Sequence, residues 1–238
     1  MEAINQYIPI MKTYYTFLLL MLVNLVHGQF AIIDDKDGFC NIRGSAEAGT
    51  NITDKLENGH FVYCLEFNGN WVNIDYLKNK QDLNGYVYNN RLKMISTYEE
   101  IILLSKTEDV SMYGKDSIRV TVTKQKFDKS KYRFSYYKDA KDQIELINGK
   151  RYWGSDGGVP EFAYKSITII KENKIIELPK AAIEDLFHPN LYHTKVNFDK
   201  VNDILYIQSM NGDGAGGYVV IWRIEKGVYK DRYITHGF

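Results

Sequence analysis

Two glycine-rich stretches carry the residue types best suited to meeting a ligand. Tyr152-Trp-Gly-Ser-Asp-Gly-Gly-Val-Pro160 offers Trp153 and Asp156, and Met210-Asn-Gly-Asp-Gly-Ala-Gly-Gly-Tyr218 offers Asp213 and Tyr218. Glycine permits positive φ and close backbone approach, so each loop is able to present a carboxylate beside successive N–H groups. If the two loops meet, Trp153 and Tyr218 form a stacking surface flanked by Asp156 and Asp213. The competing reading makes both loops hairpin connections whose Gly and Asp residues serve turn geometry.

Catalytic patterns fare worse. Gly154-Ser-Asp-Gly157 has Trp153 where a nucleophile elbow needs a leading glycine, and no strand-to-helix context surrounds it. Asn211-x-Asp213 begins like a calcium loop, but Ala215 and Trp222 occupy its fifth and twelfth positions, where oxygen ligands are needed. His188 and His193 flank Pro189 at a spacing that one helix face does not accommodate, and they read as loop or surface histidines. No catalytic set, cofactor or metal site is expected.

A second group of aromatics lies in Leu56–Leu92. Across Asp37–Leu92, four short alternating runs separated by turn residues read as a small antiparallel barrel. Val62, Cys64 and Val87 alternate inward, which turns Tyr63, Tyr86 and Tyr88 outward. With Trp71 and Tyr76 these tyrosines form an aromatic surface for a glycan or peptide, or plain cross-strand pairs on a sheet face. The segment Asp75–Asn84 reads as a polar, flexible insertion, and Gly44–Asn51, rich in Gly, Ser, Ala and Thr, as a loop.

The same pieces, in order, resemble the bacterial SH3 (SH3b) family. Cys40-Asn-Ile-Arg43, Leu56…Gly59…Val62…Cys64, Asn70-Trp71…Ile74 and Gly85-Tyr-Val87 fill the slots of that family's four strand motifs. The resemblance covers about a quarter of the chain. It implies a small SH3-like barrel over residues 29–95, with binding of cell-wall peptide or glycan, or of an envelope protein. It also places Cys40 and Cys64 inside one small core, either bridged or as two buried thiols.

Downstream the chain stays β. Ser117–Thr123, Tyr132–Tyr137, Gln143–Ile147, Ser166–Ile170, Lys174–Leu178, Asp203–Ser209, Tyr218–Ile224 and Val228–Ile234 read as strands. Asn148-Gly149, Lys171-Glu-Asn173 and Glu225-Lys-Gly227 are their turns. Lys180–Phe187, between Pro179 and Pro189, is the one short helix, with Ala182, Ile183, Leu186 and Phe187 on a single face. Thr97–Leu104 reads as strand or one helical turn at a domain boundary. The fold class is therefore mainly β: a small barrel, then an antiparallel β-sheet domain with one short helix over residues 100–238.

Composition and address set the function class. The 238 residues are 45% hydrophobic, enough for a real core, with 19 tyrosines. Lys+Arg and Asp+Glu are 30 each, so the overall balance announces no basic face for nucleic acid or an anionic membrane. Met11-Lys-Thr-Tyr-Tyr followed by the apolar run Thr16–Val26 and Gly28 reads as a secretory leader over residues 1–28. The run is too short for the ~20 apolar residues of a spanning helix. Residues 1–10 add nothing to a leader, which leaves Met1 and Met11 as alternative starts. Together these features point to a secreted or periplasmic, non-enzymatic binding protein of the cell envelope. The alternatives are a secreted inhibitor or immunity-type protein against an envelope-acting toxin or hydrolase, and a wall-degrading enzyme.

Overall fold

The structure, a computed structural model, describes residues 28–212 and 214–237, so residues 1–27 of the expected leader lie outside it. The fold is mainly β, and every strand pair is antiparallel. Among the described residues no helix is long and apolar enough to cross a membrane.

Residues 29–94 build the first sheet. Strands β1 (Gln29–Ile33), β2 (Phe39–Arg43), β3 (Ile52–Glu57), β4 (Phe61–Asn68), β5 (Trp71–Lys78), β6 (Gln81–Tyr88) and β7 (Leu92–Met94) run in the order β3-β2-β6-β5-β4-β1-β7. The expected alternation holds: Ile42, Val62, Cys64, Val72, Ile74 and Val87 share one buried cluster. One face of a single sheet packs on itself only if the sheet curls, and this one forms a half-barrel. Gly85 permits that curl, because a Cβ there would strike the Ile42 side chain and lie 3.1 Å from the Arg43 carbonyl oxygen.

The segment 75–84 is not a flexible insertion. Strands β5 and β6 continue through it, joined at Asn79-Lys80 with φ of 52° and 64°. Positive φ at both central residues is what a two-residue hairpin of this hand requires. Tyr76 is buried in the core and Leu83 packs against it, extending the alternation to the turn.

The second part begins with β8 (Glu99–Glu100) and β9 (Ile102–Lys106), so Thr97–Leu104 is mainly strand. A five-stranded sheet then uses β10 (Val110–Lys115), β11 (Ile118–Lys126), β14 (Phe162–Lys171) and β15 (Lys174–Glu177) in the order β15-β14-β11-β10-β9. Between β11 and β14 sits a separate ribbon, β12 (Phe134–Tyr136) with β13 (Ile144–Ile147). The last sheet comprises β16 (Thr194–Asp199), β17 (Ile204–Asn211), β18 (Tyr218–Glu225) and β19 (Val228–Thr235) in the order β19-β18-β17-β16-β8. The two five-stranded sheets enclose the main core, centred on Trp222, Ile207, Val220 and Leu186.

Where the sequence predicts a short helix at 180–187, only a 3₁₀ turn forms, at Lys180–Ala182. Ala182, Ile183, Leu186 and Phe187 are buried as expected, but their backbone groups have other partners. The Ala182 carbonyl accepts from Trp222 Nε1 and Arg232 Nη1, both at 2.8 Å. The Phe187 N–H donates to the Trp153 carbonyl at 2.9 Å. Nine residues between two prolines nucleate a helix poorly, and tertiary partners take the carbonyls instead.

A third buried cluster joins the two parts. Phe30, Phe61, Tyr63 and Ile95 meet Tyr206, Val219, Ile221 and Tyr233. The outer face of β1 and β4 is thus the inner face of a joint.

Candidate functional site

Strands β5 and β6 carry the outward aromatics that keep partial exposure, Trp71, Tyr86 and Tyr88. Their outward rungs pair Trp71 with Tyr88, Asn73 with Tyr86 and Asp75 with Asn84. The Trp71 and Tyr88 rings meet edge to face with centroids 5.3 Å apart. Arg43, paired with Tyr86 across β2 and β6, places its guanidinium carbon 5.8 Å from the Trp71 ring. Beyond the rings, Asn84 Nδ2 donates to Asn73 Oδ1 at 2.6 Å and to Asp75 Oδ1 at 2.9 Å. One half-exposed face therefore runs from an aromatic end to an amide and carboxylate end.

The Gly44–Asn51 loop borders this face and is held to it. Arg43 Nη1 donates to the Gly49 carbonyl (2.7 Å) and to Asn51 Oδ1 (2.9 Å), and Asn51 Nδ2 donates to Ser45 Oγ at 2.7 Å. A planar guanidinium fixed by the loop beside a tryptophan suits a ligand with an apolar face and polar edges.

Tyr63 is a correction. It points out of the small core as the alternation requires, yet it is only 3% exposed because the last sheet covers it. Its ring packs edge-on against Phe30 at 5.0 Å, and burial pushes its hydroxyl up to about 12. Alternation reports the face of a strand, not what later packs on that face.

The two glycine-rich loops do converge. A Cβ on Gly216 would lie 2.7 Å from the Ser155 backbone, and one on Gly154 would collide with the Phe187 carbonyl. The rings of Trp153 and Tyr218 are 6.1 Å apart, and Trp153 is 4.8 Å from His236. Tyr218, however, is 1% exposed and donates to the Phe187 carbonyl at 3.1 Å. Burial holds its hydroxyl far above the usual range. Tyr218 is thus a core residue, and the glycines serve the approach of two backbones. Trp153 is half-buried, Asp156 is exposed, and Asp213 lies outside the described residues.

A cleft of about 430 Å³ opens beside the second loop, lined in part by Glu108, Lys124, Glu161, His188 and Gly212. His188, which the sequence reads as a loop or surface histidine, has a φ of 48°, unusual for a residue with a side chain. It is fixed by three bonds: its N–H donates to the Phe162 carbonyl, its carbonyl accepts from Gly212, and its Nε2 accepts from the Glu161 N–H. Beneath it Asn211 Oδ1 accepts from the Asn190 N–H (2.7 Å), Tyr164 Oη (3.2 Å) and Ser209 Oγ (2.8 Å). Only the run of polar residues around Pro189 hinted at this.

Cys40 and Cys64 are free thiols in the same core. Burial raises them to about 11 and about 12, which makes them poor nucleophiles.

Comparisons with family models, with curated proteins and with solved structures found no match.

Proposed function

We propose that this chain is an exported, non-enzymatic binding protein of the bacterial cell envelope. In this reading the half-barrel corresponds to an SH3-like barrel over residues 29–95, and residues 100–238 form the domain on which it is mounted. The ligand is wall peptide or glycan, held on the face built from Trp71, Tyr86, Tyr88 and Arg43.

One observation carries the proposal. The neighbouring outward aromatics of β1 and β4 are covered by the last sheet, whereas the Trp71–Tyr88 pair keeps solvent access beside an anchored arginine. Aromatic faces stack on the C–H face of a sugar or on a peptide plane, and the nearby Asn73, Asp75 and Asn84 supply hydrogen-bonding partners. A face of this type gives orientation and modest affinity without covalent chemistry.

Cosedimentation with purified peptidoglycan tests it. The protein is expected in the pellet, and Trp71→Ala is expected to remain in the supernatant with unchanged circular dichroism. Wild-type protein that stays soluble would remove the wall-binding reading.

A further inference from the structure

The zero net charge conceals a strong local imbalance. Residues 124–151 hold nine Lys and Arg against four Asp and Glu, a net of +5, so the rest of the chain carries −5. This segment includes the β12–β13 ribbon, the one two-stranded sheet among the described residues. The ribbon is pinned to the body by an aromatic cluster: Phe127 stacks on Tyr132 at 4.4 Å and meets Phe187 edge-on at 5.3 Å.

Local geometry gathers the cations at the ribbon's base. Asp128 accepts from the Ser130 N–H (3.1 Å) and Ser130 Oγ (2.7 Å), forming the 3₁₀ turn that displays Lys129 and Lys131. Asn148 clamps the far side, accepting from the Arg133 N–H at 2.9 Å and donating to the Arg133 carbonyl at 2.7 Å. The turn at Asn148-Gly149 then brings Lys150 and Arg151 alongside. Among the described residues only Lys131 and Lys150 of the nine cations have a carboxylate partner, Asp128 and Glu184. Tyr136 and Tyr137 follow on the ribbon at 43% and 48% exposure.

We infer that this ribbon binds a flexible anionic polysaccharide, one carrying uronate or phosphate groups. Closely spaced, unpaired cations release counterions when they meet a polyanion, and exposed phenols stack on sugar faces and hydrogen-bond hydroxyls. A flexible chain can follow a narrow ribbon. Duplex DNA, stiff over about 50 nm, would also lie against the remaining surface, which carries the compensating −5. The inference is independent of the Trp71 face, which lies on a different sheet.

Binding of polygalacturonate, neutral dextran, a DNA duplex and phosphatidylglycerol vesicles to the purified protein tests it, with salt as the second variable. The expected result is binding to polygalacturonate that weakens steadily with salt, and none to dextran. The exposed triple variant Lys129→Gln/Lys131→Gln/Arg133→Gln should bind at least about tenfold more weakly, a loss of ~1.4 kcal/mol, with an unchanged thermal midpoint. Equal binding to dextran, wild-type affinity in the triple variant, or tighter binding to DNA or vesicles would each overturn it.

Discussion

Arg223 of the last sheet donates from Nη1 to the Gly59 carbonyl of the first, at 2.8 Å, and its guanidinium carbon lies 4.7 Å from the Phe61 ring. Its Nε and Nη2 are held by Asp231. One side chain thus ties the β18–β19 hairpin to the turn before β4. Arg223→Ala is expected to lower stability by about 1–3 kcal/mol, since it leaves a half-buried carbonyl and carboxylate without their donor. Urea unfolding followed by fluorescence measures this, and a change below about 0.5 kcal/mol would show that the joint does not depend on it.

His60, at the same joint, predicts a pH response. Its Nε2 is 3.0 Å from the Leu77 carbonyl, and its pKa is lowered from 6.5, first by burial. The carbonyl bond and Asp54 oppose this, while Lys78 and Arg223 reinforce it. A histidine whose folded pKa lies below its unfolded value contributes stability that is present above pH 6.5 and is lost as pH falls below it. Unfolding midpoints between neutral and mildly acidic pH should therefore fall more for wild type than for His60→Gln. Parallel curves would contradict the assignment.

Much of the β skeleton was legible because period-two alternation and turn pairs act locally. Asn148-Gly149 and Lys226-Gly227 take positive φ where the sequence marks turns, and Val62, Cys64 and Val87 point inward as their spacing requires. Strands β10 and β16 escaped notice because their alternation is broken: Gly114 interrupts one, and four buried residues in succession, Val196–Asp199, mask the other. The fates of Tyr63 and Tyr218 were illegible for another reason. Covering a sheet face is a long-range event, set by residues such as Tyr206 and Phe187 that lie far away in sequence.

The glycine loops give a steric prediction. A Cβ at Gly216 has no room against the Ser155 backbone, while one at Gly158 meets its nearest neighbour, Ser155 Oγ, at an ordinary 3.8 Å. Gly216→Ala should cost about 1–3 kcal/mol through forced backbone shifts. Gly158→Ala should stay within about 0.5 kcal/mol of wild type. Equal thermal midpoints for the two variants would mean that the loops do not pack as described.

The thiols can be read chemically. Cys64 is fully enclosed and Cys40 nearly so, both with raised pKa values. A thiol reagent at neutral pH should label neither promptly in the folded protein and both in denaturant, with Cys40 reacting first as the fold opens. Absence of labelling in denaturant without reductant would reveal a bridge instead of two free thiols.

The central claim is that the Trp71–Tyr88 face recognises wall material. Calorimetric titration with soluble peptidoglycan fragments, comparing wild type with Trp71→Ala/Tyr88→Ala, tests it most directly. At least about tenfold weaker binding, ~1.4 kcal/mol, with an unchanged thermal midpoint is the predicted result. Equal affinity in the double variant would contradict it.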